Sequence, residues 1–480
     1  MRDTDIVIIG AGLSGIGAAC VLRRECPDEE LVILEARDSI GGTWDLFRYP
    51  GVRSDSDMYT LGYIFKPWVG SRALAAGEAI REYVQDAAQE HDLPSKIHFR
   101  TRVTAANWSP AEQRWRVATV GPDGEPREYR CRFLYCCAGY YNYAQGYRPT
   151  FAGEEQFAGR IVHPQHWPED LEYAGKQVVV IGSGATAVTL VPAMARSAAK
   201  VTMLQRSPSY VMSLPAEDGI ARWMQAHLPA RLAYRLARWK NILLSMFFFN
   251  LSRWRPQFMR RLLRKGVVAG LGEDYPVDVH FNPRYNPWDQ RLCFVPDGDL
   301  FQALRAGQAE VVTDHIAQFT ASGVRLASGR ELPADVVVMA TGLDLQLMGG
   351  MALSVDDVPV LPREQLIYRG MMVQDLPNFA FTVGYTNASW TLKADLVASY
   401  VARLLRYMRR KGYRQCTPRL HDTNLAREPL IDFSSGYVER KRDELPAQGA
   451  RAPWKLYQNY LRDRLTLALG RMDDGAMEFR

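Results

Sequence analysis

Two strings of small residues stand where a chain could close around a phosphate. Gly10-Ala-Gly12-Leu-Ser14-Gly15 follows the apolar run Asp5–Ile9. A helical stretch from Ile16 to about Arg24 comes next, then the apolar Leu31–Leu34 and Glu35. Gly10 permits a tight turn, Gly12 lets the backbone approach a pyrophosphate, and Gly15 lets helix and strand pack closely. The free N–H groups of a helix N-terminus suit phosphates. Glu35 stands near the spacing of an acid that binds a ribose hydroxyl. Strand, glycine turn, helix, strand and acid together specify a nucleotide site far better than the glycines alone.

The second string is Gly182-Ser183-Gly184-Ala185-Thr186-Ala187, set between the apolar Gln177–Ile181 and a helix from Val188 to Met194. Alanine is an accepted substitute for the third glycine. The next strand, Val201–Gln205, ends not in an acid but in Arg206-Ser207. A carboxylate there would repel a 2′-phosphate, whereas Arg206 can make a charge-assisted contact with one and Ser207 can add a hydroxyl donor. Alternatively, Arg206 is a solvated charge at a strand end. Two fingerprints with opposite signals indicate unlike nucleotides, FAD at the first site and NADPH at the second.

Holding two such sites takes more than one core, and 480 residues supply it. The expected fold class is α/β, two Rossmann-like dinucleotide-binding domains (FAD and NADP) with a helical insertion in the second. The FAD domain takes residues 1–145 and, with a C-terminal tail, 341–480; the NADP domain takes 146–215 and 281–340; the insertion takes 216–280. The insertion has its own composition. No acid lies between Asp218 and Glu273, yet eleven arginines and lysines fall there among Trp223, Phe247, Trp254 and Phe258. Such a basic amphipathic stretch can lie on an anionic membrane surface. Alternatively, it roofs a substrate site with its arginines solvated.

Composition excludes some classes. A net charge of +6 with 47% hydrophobic residues is ordinary for a globular protein, and no basic tail or nucleic-acid motif is present. None of the seven cysteines forms a CxxC pair, so a disulfide reductase lacks its redox couple and no metal site is expected. The first strand begins within a few residues of Met1, leaving no room for a signal peptide. A cytoplasmic protein is expected, with the insertion as its one candidate for peripheral membrane contact.

Longer strings carry a resemblance. They are Phe157-Ala-Gly-Arg-Ile-Val-His163-Pro-Gln-His-Trp167-Pro168, Gly41-Gly-Thr-Trp-Asp-Leu-Phe-Arg-Tyr-Pro-Gly-Val-Arg-Ser-Asp55, Asn286-Pro-Trp-Asp-Gln-Arg291 and Tyr385-Thr-Asn-Ala-Ser-Trp390. In these the chain resembles the Baeyer–Villiger flavin monooxygenases, and within them the ethionamide-activating subgroup, nearly end to end. The resemblance implies NADPH- and O2-dependent oxidation of ketones to esters or lactones through a C4a-peroxyflavin, with sulfides or thioamides as further substrates. An S- or N-oxygenating monooxygenase with both cofactors is the alternative. The expected partners are therefore a small ketone or sulfur compound and O2.

Roles follow position by position. The resemblance places Arg291 beside the flavin C4a carbon and Asp55 behind it as the carboxylate that orients it. Thr43, Trp44, Asp45 and Leu46 would line the isoalloxazine, and Val103 would contact the FAD adenine through its backbone. Arg53 and Ser54 would meet the reactive end of NADP, and His163 would serve domain motion. A guanidinium stays protonated at any working pH, which suits a group that must keep a peroxide ionised. From charge alone, Arg291 and Asp55 read equally well as a salt bridge between domains. Gln290 stands where many relatives have a lysine, which shifts 2′-phosphate recognition onto Arg206 and Ser207. The resemblance also favours the roof reading of the insertion. Trp390 to about Arg410 is expected to form a helix starting near the flavin, with Trp390 and Lys393 as pocket candidates. The tail beyond Leu445, with Trp454 and Tyr457, is expected over the cleft.

Overall fold

The computed structural model describes residues 2–431 and 435–480. Strand β1 (Arg2–Ile9) starts earlier than the apolar run because Arg2, Asp3 and Thr4 pair in parallel with Tyr129, Arg130 and Cys131. An Asp3–Arg130 ion pair of 2.6 Å spans those two strands. Helix α1 (Leu13–Glu25) begins directly after Gly12, and β2 (Leu31–Leu34) pairs with β1 in parallel. Ile6–Ile9 of β1 and the whole of β2 are apolar and buried because a parallel sheet is covered on both faces. Gly15 is required by contact, since a Cβ there would lie 1.8 Å from the Gly10 carbonyl oxygen.

The first sheet has nine strands. Its long strand Pro126–Cys136 changes partner midway. Pro126 to Cys131 pairs with Arg114–Val120, and Leu134 to Cys136 pairs with Phe379–Phe381. The second sheet is parallel throughout, in the order Ala309–Thr313, Lys200–Gln205, Gln177–Ile181, Val336–Met339, Arg160–Val162. Its central unit is β3 (Gln177–Ile181), α2 (Ala185–Met194) and β4 (Lys200–Gln205). The chain crosses from the first sheet to the second at Tyr141–Gly146 and back at Leu343–Leu345, and these two segments pair antiparallel. His163 packs on that crossover, its ring so near Gly146 that a Cβ there would lie 2.0 Å from Cε1.

The insertion is helical: α3 (Gly219–His227), α4 (Ala230–Trp254) and α5 (Pro256–Leu271). Pro256 sets the break between the last two, because the residue before a proline is pushed out of the helical region; Arg255 has φ −127° and ψ 61°. Ala233, Tyr234, Ala237 and Arg238 form the buried side of α4. The solvated arginines expected of a roof are therefore not all solvated. Arg238 is 3% exposed and donates to the carbonyls of Tyr59 (2.9 Å) and Gly62 (2.6 Å). It also pairs with Asp395 at 2.8 Å. Asp395 lies on α6 (Trp390–Lys411), which packs on α1 and on the tail helix α7 (Tyr460–Leu469).

Candidate active site

The carboxyl ends of β1, β2, β3 and β4 open onto one cleft of about 950 Å³, lined by residues of both sheets. The open side of a parallel α/β sheet at its strand ends is where ligands bind. Gly10, Gly12, Ser14 and Glu35 line it at the first sheet, with Val103 nearby in the same wall. Gly15 lies behind, in the helix–strand contact. Glu35 is buried and accepts hydrogen bonds from the N–H groups of Ala11 (2.6 Å) and Arg37 (2.8 Å). Burial raises its pKa, partly offset by those two donors.

Gly182, Ser183, Gly184, Ala185 and Thr186 line the cleft at the second sheet, whereas Ala187 and Val188 are fully buried in the core beneath. Helices turn every 3.6 residues, so Ala185, Thr186 and, one turn further on, Thr189 share the side of α2 that faces the opening. The Ser183 hydroxyl donates to the Ser207 carbonyl at 3.1 Å and meets the Ser209 hydroxyl at 2.9 Å, so it braces the turn. Arg206 and Ser207 line the cleft exposed, and Arg206 has no ion-pair partner among the described residues. Neither α1 nor α2 is capped by a side chain at Gly12 or Gly184, which leaves first-turn N–H groups for a ligand. A Cβ at Gly184 would meet nothing within 4 Å, so open space lies in front of that turn.

Between the two turns stand Arg291 and Asp55. Arg291 precedes the strand Cys293–Pro296, and Asp55 lies in the loop after Gly51. Two contacts join them, Nε to Oδ2 at 2.8 Å and Nη2 to Oδ1 at 3.0 Å. Both line the cleft, and the 39% exposure of Arg291 leaves its guanidinium accessible there. Asp55 holds its pKa above the ordinary guanidinium value, against the opposing effect of burial. Arg53 and Ser54 also line the cleft, with Arg53 paired to Asp299 at 2.5 Å and the Ser54 hydroxyl donating to the Ser56 carbonyl at 2.8 Å.

Other expectations divide. Thr43 and Trp44 line the cleft, but Asp45 and Leu46 do not. Asp45 is 3% exposed, with Arg37 at 2.7 Å and Arg48 at 2.6 Å. Those partners hold it away from the cavity, because a buried carboxylate needs paired charge. Trp390 lines the cleft, donates to the Ser14 hydroxyl at 2.7 Å and stacks on Tyr140 at 5.0 Å and 8°. Lys393 lies outside it, 1% exposed, its ammonium held by Asp463 of α7 at 2.8 Å. Trp454 and Tyr457 do not reach the cleft either. Trp454 packs edge-on against Tyr368 in the core, and Tyr457 lies under the Arg462 guanidinium. The C-terminal wall is made instead by Ile431, Ser435, Gly436, Tyr437 and Arg440.

A set of tyrosines not expected at the site also forms its wall. Tyr140, Tyr141 and Tyr143 line the cleft, with Tyr140 and Tyr141 hydroxyls 2.8 Å apart and Tyr143 bonded to Thr43 at 3.0 Å. Three tyrosines within four residues, directly after the strand end at Ala138-Gly139, were the available signal. All seven cysteines are free and buried.

Two glycine turns facing one cavity across a paired guanidinium define an α/β protein of two Rossmann-like units that share a single cleft. A model of the flavin-binding monooxygenase-like family matches residues 73–260, and one of the NAD(P)-binding Rossmann-like domain matches residues 8–64. FAD-containing monooxygenase EthA of Mycobacterium tuberculosis is 53% identical over 99% of this chain and 97% of its own length. Probable FAD-binding monooxygenase AlmA of Acinetobacter baylyi is 48% identical over 100% of this chain and 96% of its own. The chain belongs to this family of FAD-containing monooxygenases. In fold it is similar to crystal structures of cyclohexanone monooxygenase (TM-score 0.78, 20% identity, 100% of both chains) and of OTEMO with FAD and NADP (TM-score 0.78, 22% identity, 99% of both chains).

Proposed function

We propose that this monooxygenase performs Baeyer–Villiger oxidation, converting a ketone, O2, NADPH and a proton to an ester or lactone, water and NADP+. Sulfides or thioamides would be further substrates. The observation that carries the reading is the two-point Arg291–Asp55 pair set in the cleft between the two glycine turns. The turns fit their nucleotides. The uncapped α1 and the buried Glu35 suit FAD, and the open Gly184 turn with Arg206 and Ser207 suits NADPH. The strands of the two large sheets also fall within the FAD bounds 1–145 and 341–480 or the NADP bounds 146–215 and 281–340, which supports that division.

When bound, FAD reduced by NADPH supplies the electrons that activate O2. The chain's own groups do the rest. Asp55 fixes Arg291 at two points, so its free N–H donors aim at the cavity without reorganising during reaction. A guanidinium kept protonated can stabilise the negative oxygen that forms as the substrate carbonyl is attacked. The stacked Tyr140 and Trp390 give the same cleft an apolar wall.

The reading is tested by supplying the purified enzyme with NADPH, oxygen, a panel of ketones and a sulfide, with products identified by mass spectrometry. Esters or lactones carrying one oxygen atom from O2 are expected. Sulfoxide with no ester from any ketone would overturn Baeyer–Villiger chemistry and leave the S-oxygenating alternative. The NADPH turn has its own test. Gly184 has φ −81°, and a methyl there meets no protein atom within 4 Å. Gly184→Ala is therefore expected to leave the melting temperature within about 2 °C while raising KM for NADPH at least about tenfold, by filling the phosphate's place. An unchanged KM would remove this turn from cofactor binding.

A further inference from the structure

We infer that the helical insertion docks the protein onto an anionic lipid bilayer through the outer side of α4 and the neighbouring ends of α3 and α5. Of the nineteen large apolar side chains left exposed among the described residues, eleven lie between Ile220 and Leu262, a stretch of less than a tenth of the chain. They are ordered, not scattered. Leu232, Leu236, Leu243, Phe247 and Trp254 recur at intervals of four and seven residues, so they share one side of α4 over about 33 Å. Phe247 is 59% exposed and Trp254 72%. The opposite side of α4 holds the buried Ala233, Tyr234, Ala237 and Arg238, so the helix is anchored by one face and bare on the other. Soluble monomers rarely leave a contiguous apolar patch of this extent uncovered.

Charge decides what covers it. Five of the eleven cations between Asp218 and Glu273 are ion-paired. Arg231, Arg235, Arg255, Arg261 and Lys265 are exposed and have no ion-pair partner among the described residues. A second copy meeting this face across a two-fold axis would bring two sets of those cations into one interface, with no acid between Asp218 and Glu273 to pair them. Anionic headgroups instead neutralise each of them while the apolar stripe enters the headgroup–acyl boundary. Among the described residues no helix is long and apolar enough to cross a membrane, so the contact is interfacial. None of this depends on the oxygenation chemistry.

The test floats the full-length holoenzyme with vesicles of phosphatidylcholine alone or with one-third phosphatidylglycerol. Binding is expected to the anionic vesicles only and to fall at high salt. Arg231→Gln with Arg235→Gln is expected to weaken that partitioning on the order of 30-fold. Phe247→Ser with Trp254→Ser is expected to weaken it at least about tenfold. Both variants should keep wild-type flavin content and NADPH oxidation, since these side chains pack on nothing in the core. Absence of flotation with anionic vesicles, equal binding to neutral ones, or binding indifferent to both double variants would overturn the assignment. So would a wild-type dimer that ignores vesicles and becomes monomeric in the Phe247/Trp254 variant, which would give the face to a second copy.

Discussion

Arg291→Ala is expected to keep oxidising NADPH while ester formation falls by about 10²- to 10³-fold, the usual consequence of deleting one preorganised donor to a developing oxyanion. The split between the two readouts is the informative part. Flavin reduction needs the nucleotides bound and aligned, and on the proposed reading the glycine turns, Glu35 and Arg206 hold them, none of which contacts the Arg291 guanidinium. Oxygen insertion needs negative charge held at one point in the cavity, and there Arg291 has two of its donors fixed by Asp55 at 2.8 and 3.0 Å. Arg291→Lys should recover only part of the loss. An ammonium keeps the charge but cannot hold the carboxylate at two points and face the cavity with a further planar donor. Asp55→Ala should give an intermediate phenotype, because the guanidinium stays charged but loses its orientation. Ester formation by Arg291→Ala near the wild-type rate would take this residue out of the mechanism. A parallel loss of NADPH oxidation would mean that the pair mainly holds the two halves of the chain together.

How much of this was legible in the residues follows from range. The glycine turns, their helices and the acid or base at the second strand's end are local patterns, and each stands between the expected strands, with the helices starting at Leu13 and Ala185 rather than at Ile16 and Val188. Pairing at the strand N-terminus was not local. Arg2, Asp3 and Thr4 join the sheet through residues far along the chain, at Tyr129 to Cys131, so β1 is longer than its apolar run. The misplaced charges share one cause. Asp45, Lys393 and Arg238 are charged residues whose positions are decided by a partner distant in sequence or on another turn of chain: Arg37 with Arg48, Asp463, and Asp395. A sequence shows each charge but not which counter-charge captures it. Trp390 and Lys393 illustrate the limit well. They sit three residues apart on one helix, yet the first forms the cavity wall and the second is drawn to α7. The tyrosines after Gly139 were visible as a cluster, but nothing local indicated that they face the cavity.

The pair that ties the insertion to the rest of the molecule has the largest expected effect on stability. Arg238→Met should lower the free energy of unfolding by about 3–5 kcal/mol, read from urea melts, because it strands a carboxylate that was already unwelcome where it sits. Burial raises the Asp395 pKa from 3.8 to about 6, and Arg238 offsets that only in part. The sign of the pH dependence follows. Because the folded protein holds this proton more tightly than the unfolded chain, the contribution of Asp395 to stability is greatest below pH 3.8 and is lost as pH rises through about 6. Most carboxylates in ion pairs behave the opposite way. Comparing wild type with Asp395→Asn should therefore show the wild type losing stability relative to the variant across that interval. Replacing both partners, Arg238→Met with Asp395→Leu, should cost less than Arg238→Met alone, since no bare charge remains. A double variant less stable than both singles would show that the pair supplies net stabilisation. Burial would then not be the dominant influence on Asp395, and the inverted pH slope would have to disappear with it.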